Sequence, residues 1–343
     1  MGVNNTRGPD SASAQESLDS EAILRVTSYH RRDWDYAVIS AAPGQHDGVR
    51  ASLFAVSGSF GGSDLGSLQR LPLELISAIC LLLDIRSALA FSQANRRSRE
   101  VTSSIRQYRQ LSEHALHCMW ALFRTGLAAY TGVTTLHALL STDRCAICDS
   151  FGGFVFLPTA SRCCFECIER ATATRVVSLS DVSKAAGVSV AKLKKAYPVS
   201  RSLPGIYSLT KKHHKRRRNL LSENQALEIL QQTERGDPQT ILEKLPDALS
   251  WRHMMSTWLP FVSSAADHPQ LGRSCKGCQV AMETCGGMDA FFRRERSFSD
   301  DEFLVHFRDC GEAEQLWHSS KGGTVEVEEP EWTRLGALLI MEE

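Results

Sequence analysis

Eleven cysteines are spread over 343 residues, and eight ligand-type side chains fall into two groups whose spacing suits a metal ion. The first group is Cys145-Ala146-Ile147-Cys148 and, with fifteen residues between, Cys164-Phe165-Glu166-Cys167. A CxxC turn aims two sulfurs at one point, and two such turns supply a tetrahedral four-thiolate shell. The spacing C-x2-C-x15-C-x2-C lies in the range of zinc sites. Cys163 is an alternative to Cys164 as third ligand. Four protein ligands leave no position for water, so a structural ion is expected here rather than a catalytic one. A dithiol redox couple would need an isolated CxxC beside a βαβ pattern, and that pattern is not legible. The second group is Cys275-Lys276-Gly277-Cys278 with His306 and Cys310. His306 and Cys310 are four apart, which places them on one face of a helix. The 27 residues between Cys278 and His306 exceed the gap in short zinc fingers, and Cys285 is an alternative ligand. One or two structural zinc ions are therefore expected.

The compartment bears on the same cysteines. The N-terminus lacks the basic-then-apolar layout of a secretory signal, so a reducing compartment, cytoplasm or nucleus, is expected. Disulfides are disfavoured there. No window approaches the ~20 apolar residues of a membrane span, and no membrane partner is expected. Hydrophobic content of 43% and charged content of 23% are ordinary for a folded protein, and the formal net charge of zero names no partner.

The elements that must position these groups read as mainly helical. The densest helix signals lie in LPLELISAICLLLDIRSALAFSQANRRSREV, beginning at Leu71. Pro72 suits a first helical turn, and Leu75, Ile76, Ile79, Cys80, Leu82 and Leu83 follow helical spacing. Asp84 breaks the pattern. Ser87 is the expected cap of a second helix and Asn95 of a third. About 40 residues have too little interior to bury so much aliphatic surface, so part of it must meet another body.

Leu71-Pro72-Leu73-Glu74-Leu75, then Ile79, Leu83 and Leu89, and the run Gln93-Ala94-Asn95-Arg96-Arg97-Ser98-Arg99 resemble the F-box over about 45 residues. That family is a three-helix module found in substrate-selecting subunits of cullin-based ubiquitin ligases. The resemblance implies that Leu71, Pro72, Leu75, Ile79, Leu83 and Leu89 face a Skp-type adaptor. Ser98 stands where the family often has Trp. Taken with CxxC…RCCFxC around FGGFVFLPT and CKGCQ…HFxxC, the chain resembles a group of fungal F-box-domain proteins over residues 70–320.

Residues 1–66 read as a mostly disordered tail, in which Trp34-Asp35-Tyr36-Ala37-Val38-Ile39 is a candidate short ordered piece, and 67–112 as the F-box. Residues 113–140 read as connecting helices, a stripe running from Ile105 to about Leu127. A CxxC/CxxC zinc-ribbon-like module is expected over 141–178, with Phe151–Pro158 as turn and short strand. A basic helical hairpin and loop is expected over 179–221 and a helical segment over 222–262, opened by the capping box Ser222–Gln225 and continuing as helix through Trp258. A zinc-knuckle-like module is expected over 270–320, its helix starting at Ser299, and an acidic tail over 321–343.

Residues 181–218 hold eleven Lys or Arg against Asp181. Asp181-Val182-Ser183-Lys184-Ala185-Ala186-Gly187-Val188-Ser189 resembles the helix-turn-helix opening of LacI-type repressors, but the remainder of that family is not visible, and a small hairpin with a basic face is expected. Lys211, Lys212, Lys215, Arg216, Arg217 and Arg218 suit a nuclear import signal, a phosphate-binding patch or a solvated loop.

The expected function is a non-enzymatic substrate receptor. The F-box would dock on a Skp-type adaptor and its cullin ligase, and the zinc-braced region would present a surface to a target protein that the sequence does not name. No nucleophile elbow or phosphate-cradling glycine loop is present. The alternative is a nuclear zinc-containing protein that binds nucleic acid through 181–218; on the leading reading nucleic acid is not the partner.

Overall fold

Side-chain caps and one-residue breaks divide this chain into many short helices. A computed structural model describes residues 19–41, 44–45, 64–207, 213–233, 235–263, 269–329 and 331–335. Over those residues the protein is mainly helical. Pro72 immediately precedes the Leu73–Leu82 helix. Asp84, not Ser87, caps the next helix, Ile85–Ala94: its carboxylate accepts from the Ser87 N–H at 2.9 Å. A carboxylate one turn earlier fills the orphan donors that Ser87 would have left open. Asn95 does cap Arg96–Ser104, accepting from the Ser98 N–H at 2.8 Å. The connecting stripe beyond it is not one helix; it breaks at Ala115 into Arg106–His114 and Leu116–Thr125, the latter closed by Gly126 in the left-handed region.

The chain divides into two units, residues 34–271 and residues 1–33 with 272–343. In the first, the helices from Leu73 to Leu140 share one large core with a three-stranded antiparallel sheet. Phe154–Phe156 is the central strand, with Phe154 opposite both Cys163 and Trp258. Trp258 thus belongs to the strand Ser256–Trp258 and not to the helix expected through it. Thr257 and Trp258 suit a pleated, half-buried surface better than a helix. Residues 34–41, the candidate ordered piece of the tail and the two residues after it, enter this core: Trp34 stacks on Phe165 with ring centroids 5.0 Å apart, and the Ile39 N–H donates to Ser256 O at 2.9 Å. An aromatic and three aliphatic residues in succession (Ala37, Val38, Ile39) are buried there, which outweighs the tail's polar composition.

A separate small core lies within the same unit. Val177, Leu179, Val182, Leu193, Leu221 and Ile229 are among its members. It joins the helices Leu179–Ala186, Val190–Ala196 and Glu223–Gln231 to a sheet of Val176–Ser178, Asn219–Ser222 and Ser200–Arg201, in that order. The capping box of Ser222 and Gln225 is formed. The preceding helix already ends at Gln231, and Asp237 then caps a new helix, Pro238–Glu243, so Gly236-Asp237-Pro238, expected as a stop, is a start.

The second unit pairs Ser28–Tyr29 antiparallel with Ser274–Cys275. Residues 19–27 are helical, with Leu24 buried, again in place of the expected tail. Arg31 and Arg294 are both buried and both reach Asp33 and Glu295. Two cations facing two carboxylates satisfy what would otherwise be costly buried charges. Residues 1–18, 46–63 and 336–343, and with them most of the expected N-terminal tail and the end of the acidic tail, lie outside the described residues.

Candidate metal centres

The first cluster is assembled by the antiparallel ribbon and the helix that follows it. Cys145 and Cys148 sit on a tight turn closed by the Asp149 N–H donating to Cys145 O at 3.0 Å. Asp149 itself lies at φ 62°, a left-handed conformation that Asp tolerates better than most residues. The ribbon's second strand, Ser161–Cys163, delivers the chain to Cys164, whose sulfur caps the Phe165–Arg170 helix by accepting from the Cys167 N–H at 3.4 Å. Ligand atoms of Cys145, Cys148, Cys164 and Cys167 all lie within 4.8 Å of one another, and Cys148 and Cys164 sulfurs are 3.6 Å apart.

Behind the ribbon is Arg162, buried at 1% exposure with no carboxylate partner among the described residues. Its guanidinium donates to the carbonyls of Leu139, Gly152, Leu259 and Pro260 at 2.8–3.0 Å. Four carbonyl dipoles stand in for a counter-ion, and burial lowers its pKa to about 10. This residue ties the ligand turn, the ribbon and the Leu259–Pro260 segment together. Sequence reasoning missed it, because a single arginine beside a cysteine carries no spacing signal.

The second cluster repeats the local device with different surroundings. Cys275 caps the Lys276–Thr284 helix, accepting from the Cys278 N–H at 3.4 Å. His306 comes from the Asp300–Asp309 helix, begun by a capping box of Ser299 and Glu302, and Cys310 closes that helix. Cys278 Sγ lies 3.4 Å from His306 Nε2 and 3.9 Å from Cys310 Sγ, and Cys275 and Cys310 sulfurs are 3.7 Å apart. The His306 ring stacks on Phe298 at 4.5 Å, which fixes its orientation. Gly277 lets the Gly311–Ser319 helix approach: a Cβ there would meet Ala313 N at 2.3 Å. Phe298 and Gly277 were also missed; the second has a faint signal, as the one residue without a side chain inside the CxxC turn.

Both sets fit a tetrahedral ion. Metal–sulfur bonds of about 2.3 Å give sulfur–sulfur edges of about 3.8 Å in a regular tetrahedron, and the observed separations bracket that value. A disulfide would need about 2.05 Å, and all eleven cysteines are unpaired. The alternatives to the expected ligands stand aside: Cys285 is exposed and outside its cluster, and Cys163 is fully buried behind Cys145.

Burial and mutual hydrogen bonds move the thiols of each cluster in opposite directions. Hydrogen bonds from the Cys163 and Cys164 thiols hold Cys145 far below the ordinary thiol range. The same contacts, with burial, push Cys163 and Cys164 far up, and burial pushes Cys167 up to about 12. In the second cluster Cys275 and Cys278 donate to Cys310 and hold it down. Cys275 is held up by its hydrogen bonds to Cys278 and Cys310. Cys278 is drawn down by Cys275, yet the Cys310 contact and burial outweigh this and leave it at about 12. Sulfurs this close cannot all ionise until a cation arrives. Either cluster can then hold a closed, structural ion.

The remaining expected site residues are placed as follows. Leu71, Pro72, Leu75 and Ile79 are exposed, whereas Leu83 and Leu89 are partly buried and pack on the large core. Lys215, Arg216, Arg217 and Arg218 are exposed, with Arg218 over the Trp251 ring at 5.5 Å. Lys211 and Lys212 lie outside the described residues. No described helix is long and apolar enough to cross a membrane. Comparison with known proteins finds no matching family model, no matching curated protein and no matching solved structure.

Proposed function

We propose that this chain is the substrate-recognition subunit of a cullin-type ubiquitin ligase, docking on a Skp-type adaptor through its F-box-like helices. The observation that carries the reading is the outer face of the Leu73–Leu82 helix. Ile76 and Cys80 turn inward, while Leu75, Ile79 and Leu82, spaced i, i+4, i+7 on one face, are 52%, 42% and 83% exposed. Leu71, two residues before the helix, is 36% exposed. Isolated exposed leucines need no explanation, but a contiguous apolar row on one helix marks an interaction surface. Burying each such side chain in a partner is worth about 1.5–3 kcal/mol.

Zinc is the ion this reading places in both clusters, held by Cys145, Cys148, Cys164 and Cys167 and by Cys275, Cys278, His306 and Cys310. It would supply folding free energy and no chemistry, since neither shell leaves a position for substrate. The chain performs no catalysis of its own. It raises the effective concentration of a target near a ubiquitin-charged enzyme, in the cytoplasm or nucleus, with the metal-braced region presenting the target surface.

The test is co-purification with a Skp-type adaptor. The native chain should form a stoichiometric complex, and Leu75→Glu/Ile79→Glu should abolish it while the circular dichroism and metal content stay unchanged. A native chain that ignores the adaptor, or a charged variant that still binds, removes the reading.

A further inference from the structure

The basic segment is more than the hairpin and loop its sequence suggests. The strand Val176–Ser178 leads into the helix Leu179–Ala186, a turn at Gly187, and the helix Val190–Ala196. The strand Ser200–Arg201, a two-stranded ribbon of Gly205–Ile206 with His213–His214, and the strand Asn219–Ser222 follow. The last strand lies between the other two in the sheet. A helix–turn–helix is thus inserted between the first two strands and a β-ribbon between the last two. The ribbon is pinned at its base by Ser202 N–H to Arg218 O at 2.9 Å and Arg218 N–H to Ser202 Oγ at 2.8 Å.

The second helix of the pair is held by very little. Leu193 is its single buried residue, while Ala191, Lys192, Lys194, Lys195 and Ala196 are exposed. Ser189 caps it, accepting from the Lys192 N–H at 3.3 Å. Gly187 is required twice over: its φ is +67°, and a Cβ would lie 2.3 Å from the Arg235 guanidinium, which rests on the turn and adds a cation there. Among the described residues, Lys192, Lys194, Lys195, Arg216 and Arg217 have no carboxylate partner. The single acid between 181 and 218 is Asp181, in the first turn of the other helix. The exposed face of this helix is therefore uniformly basic, with no described acid to neutralise it.

We propose that the exposed face of the Val190–Ala196 helix binds duplex DNA, with the helix in the major groove and Lys192, Lys194 and Lys195 toward phosphates. A helix about 10–12 Å across matches a groove about 12 Å wide, and Ala191 and Ala196 leave room for close approach. The A-form major groove of RNA is too narrow and deep for a helix, which selects DNA. Affinity comes from phosphate neutralisation and counter-ion release, so it falls with salt. The surface shares no residue with the apolar row on Leu73–Leu82, and its success or failure is independent of adaptor docking.

The experiment is fluorescence anisotropy of a labelled 20-base-pair DNA duplex with the full-length, zinc-supplemented protein across a salt series, set against an RNA duplex of the same sequence. Lys192→Ala/Lys194→Ala/Lys195→Ala should lower the slope of log affinity against log salt by about three and weaken binding at least about tenfold. Lys194→Glu, a single exposed change, reads the same surface should the triple variant lose its fold. RNA duplex should bind at least about tenfold more weakly than DNA. No binding at low salt, binding unchanged in both helix variants, or RNA bound as tightly as DNA would each overturn the proposal.

Discussion

The two candidate metal centres use one local device and put it to unequal use. In each, the first cysteine of a CxxC pair caps a helix through its sulfur and the second lies in that helix's first turn. Around the first centre stands a core of dozens of aliphatic and aromatic side chains reaching from Trp34 to Val262. Around the second, the core is Leu24, Phe303, Phe307, Ala313 and the three cysteine ligands themselves. An ion is an accessory where apolar burial is plentiful and the organiser where it is scarce. Exposure follows the same division: Cys148 of the first centre is open to solvent, while all three cysteines of the second are buried.

The largest expected effect separates the two centres directly. Cys310→Ser should remove one ion and unfold the residues around it, because a structural zinc worth ~10–16 kcal/mol matches or exceeds the ~5–15 kcal/mol stability of a whole domain. Cys148→Ser should also remove one ion, but hydrogen exchange should rise only near 144–170 while the helices of Leu116–Leu140 stay protected. Equal, local loss of protection in both variants would erase the distinction. A second expectation concerns pH. In each metal-free cluster at least two ligand thiols are held up and protonated at neutral pH: Cys164 and Cys167 in the first, Cys275 and Cys278 in the second. An entering ion must expel those protons, so affinity should fall about a hundredfold for each unit of acidification. Metal release followed with a chromogenic chelator should show both centres emptying over a similar pH range, with loss of fold accompanying only the second.

The smallest effects come from two glycines. Gly277→Ala forces a Cβ against Ala313 backbone, and Gly152→Ala meets Arg162 Cγ at 2.9 Å and Cys145 N at 3.2 Å. Overpacking costs typically 1–3 kcal/mol. Backbone yields less than side chain, so Gly277→Ala should fall at the upper end and Gly152→Ala lower, as read from the unfolding midpoint in denaturant. The reverse order would mean that the second centre adapts more easily than its packing suggests.

How much of this was legible before the structure depends on how local each signal is. The eight ligands, the Asn95 cap and the Ser222–Gln225 and Ser299–Glu302 capping boxes announce themselves within a few residues, and the structure contains them all. Trp258 did not, and residues 34–39 showed only as a candidate ordered piece, without their place in the core. Their conformation is decided by partners more than a hundred positions away in sequence: Trp258 opposite Phe154, and Ile39 against Ser256. Arg162 is the same case, since its carbonyl acceptors at Leu259 and Pro260 share no local pattern with it. The helix-turn-helix was half visible; what composition could not supply was the sheet order that frames it, Val176–Ser178, Asn219–Ser222 and Ser200–Arg201.

The pairing of Ser28–Tyr29 with Ser274–Cys275 also sets a timetable at the ribosome. Residues 34–271 are contiguous, so that unit can fold while the polypeptide is still emerging. Residues 19–33 must wait for their strand partner until some 240 further residues have been translated, roughly 12–50 seconds at about 5–20 residues per second. During that interval Leu24 and its neighbours lack the strand and helices that cover them in the folded unit.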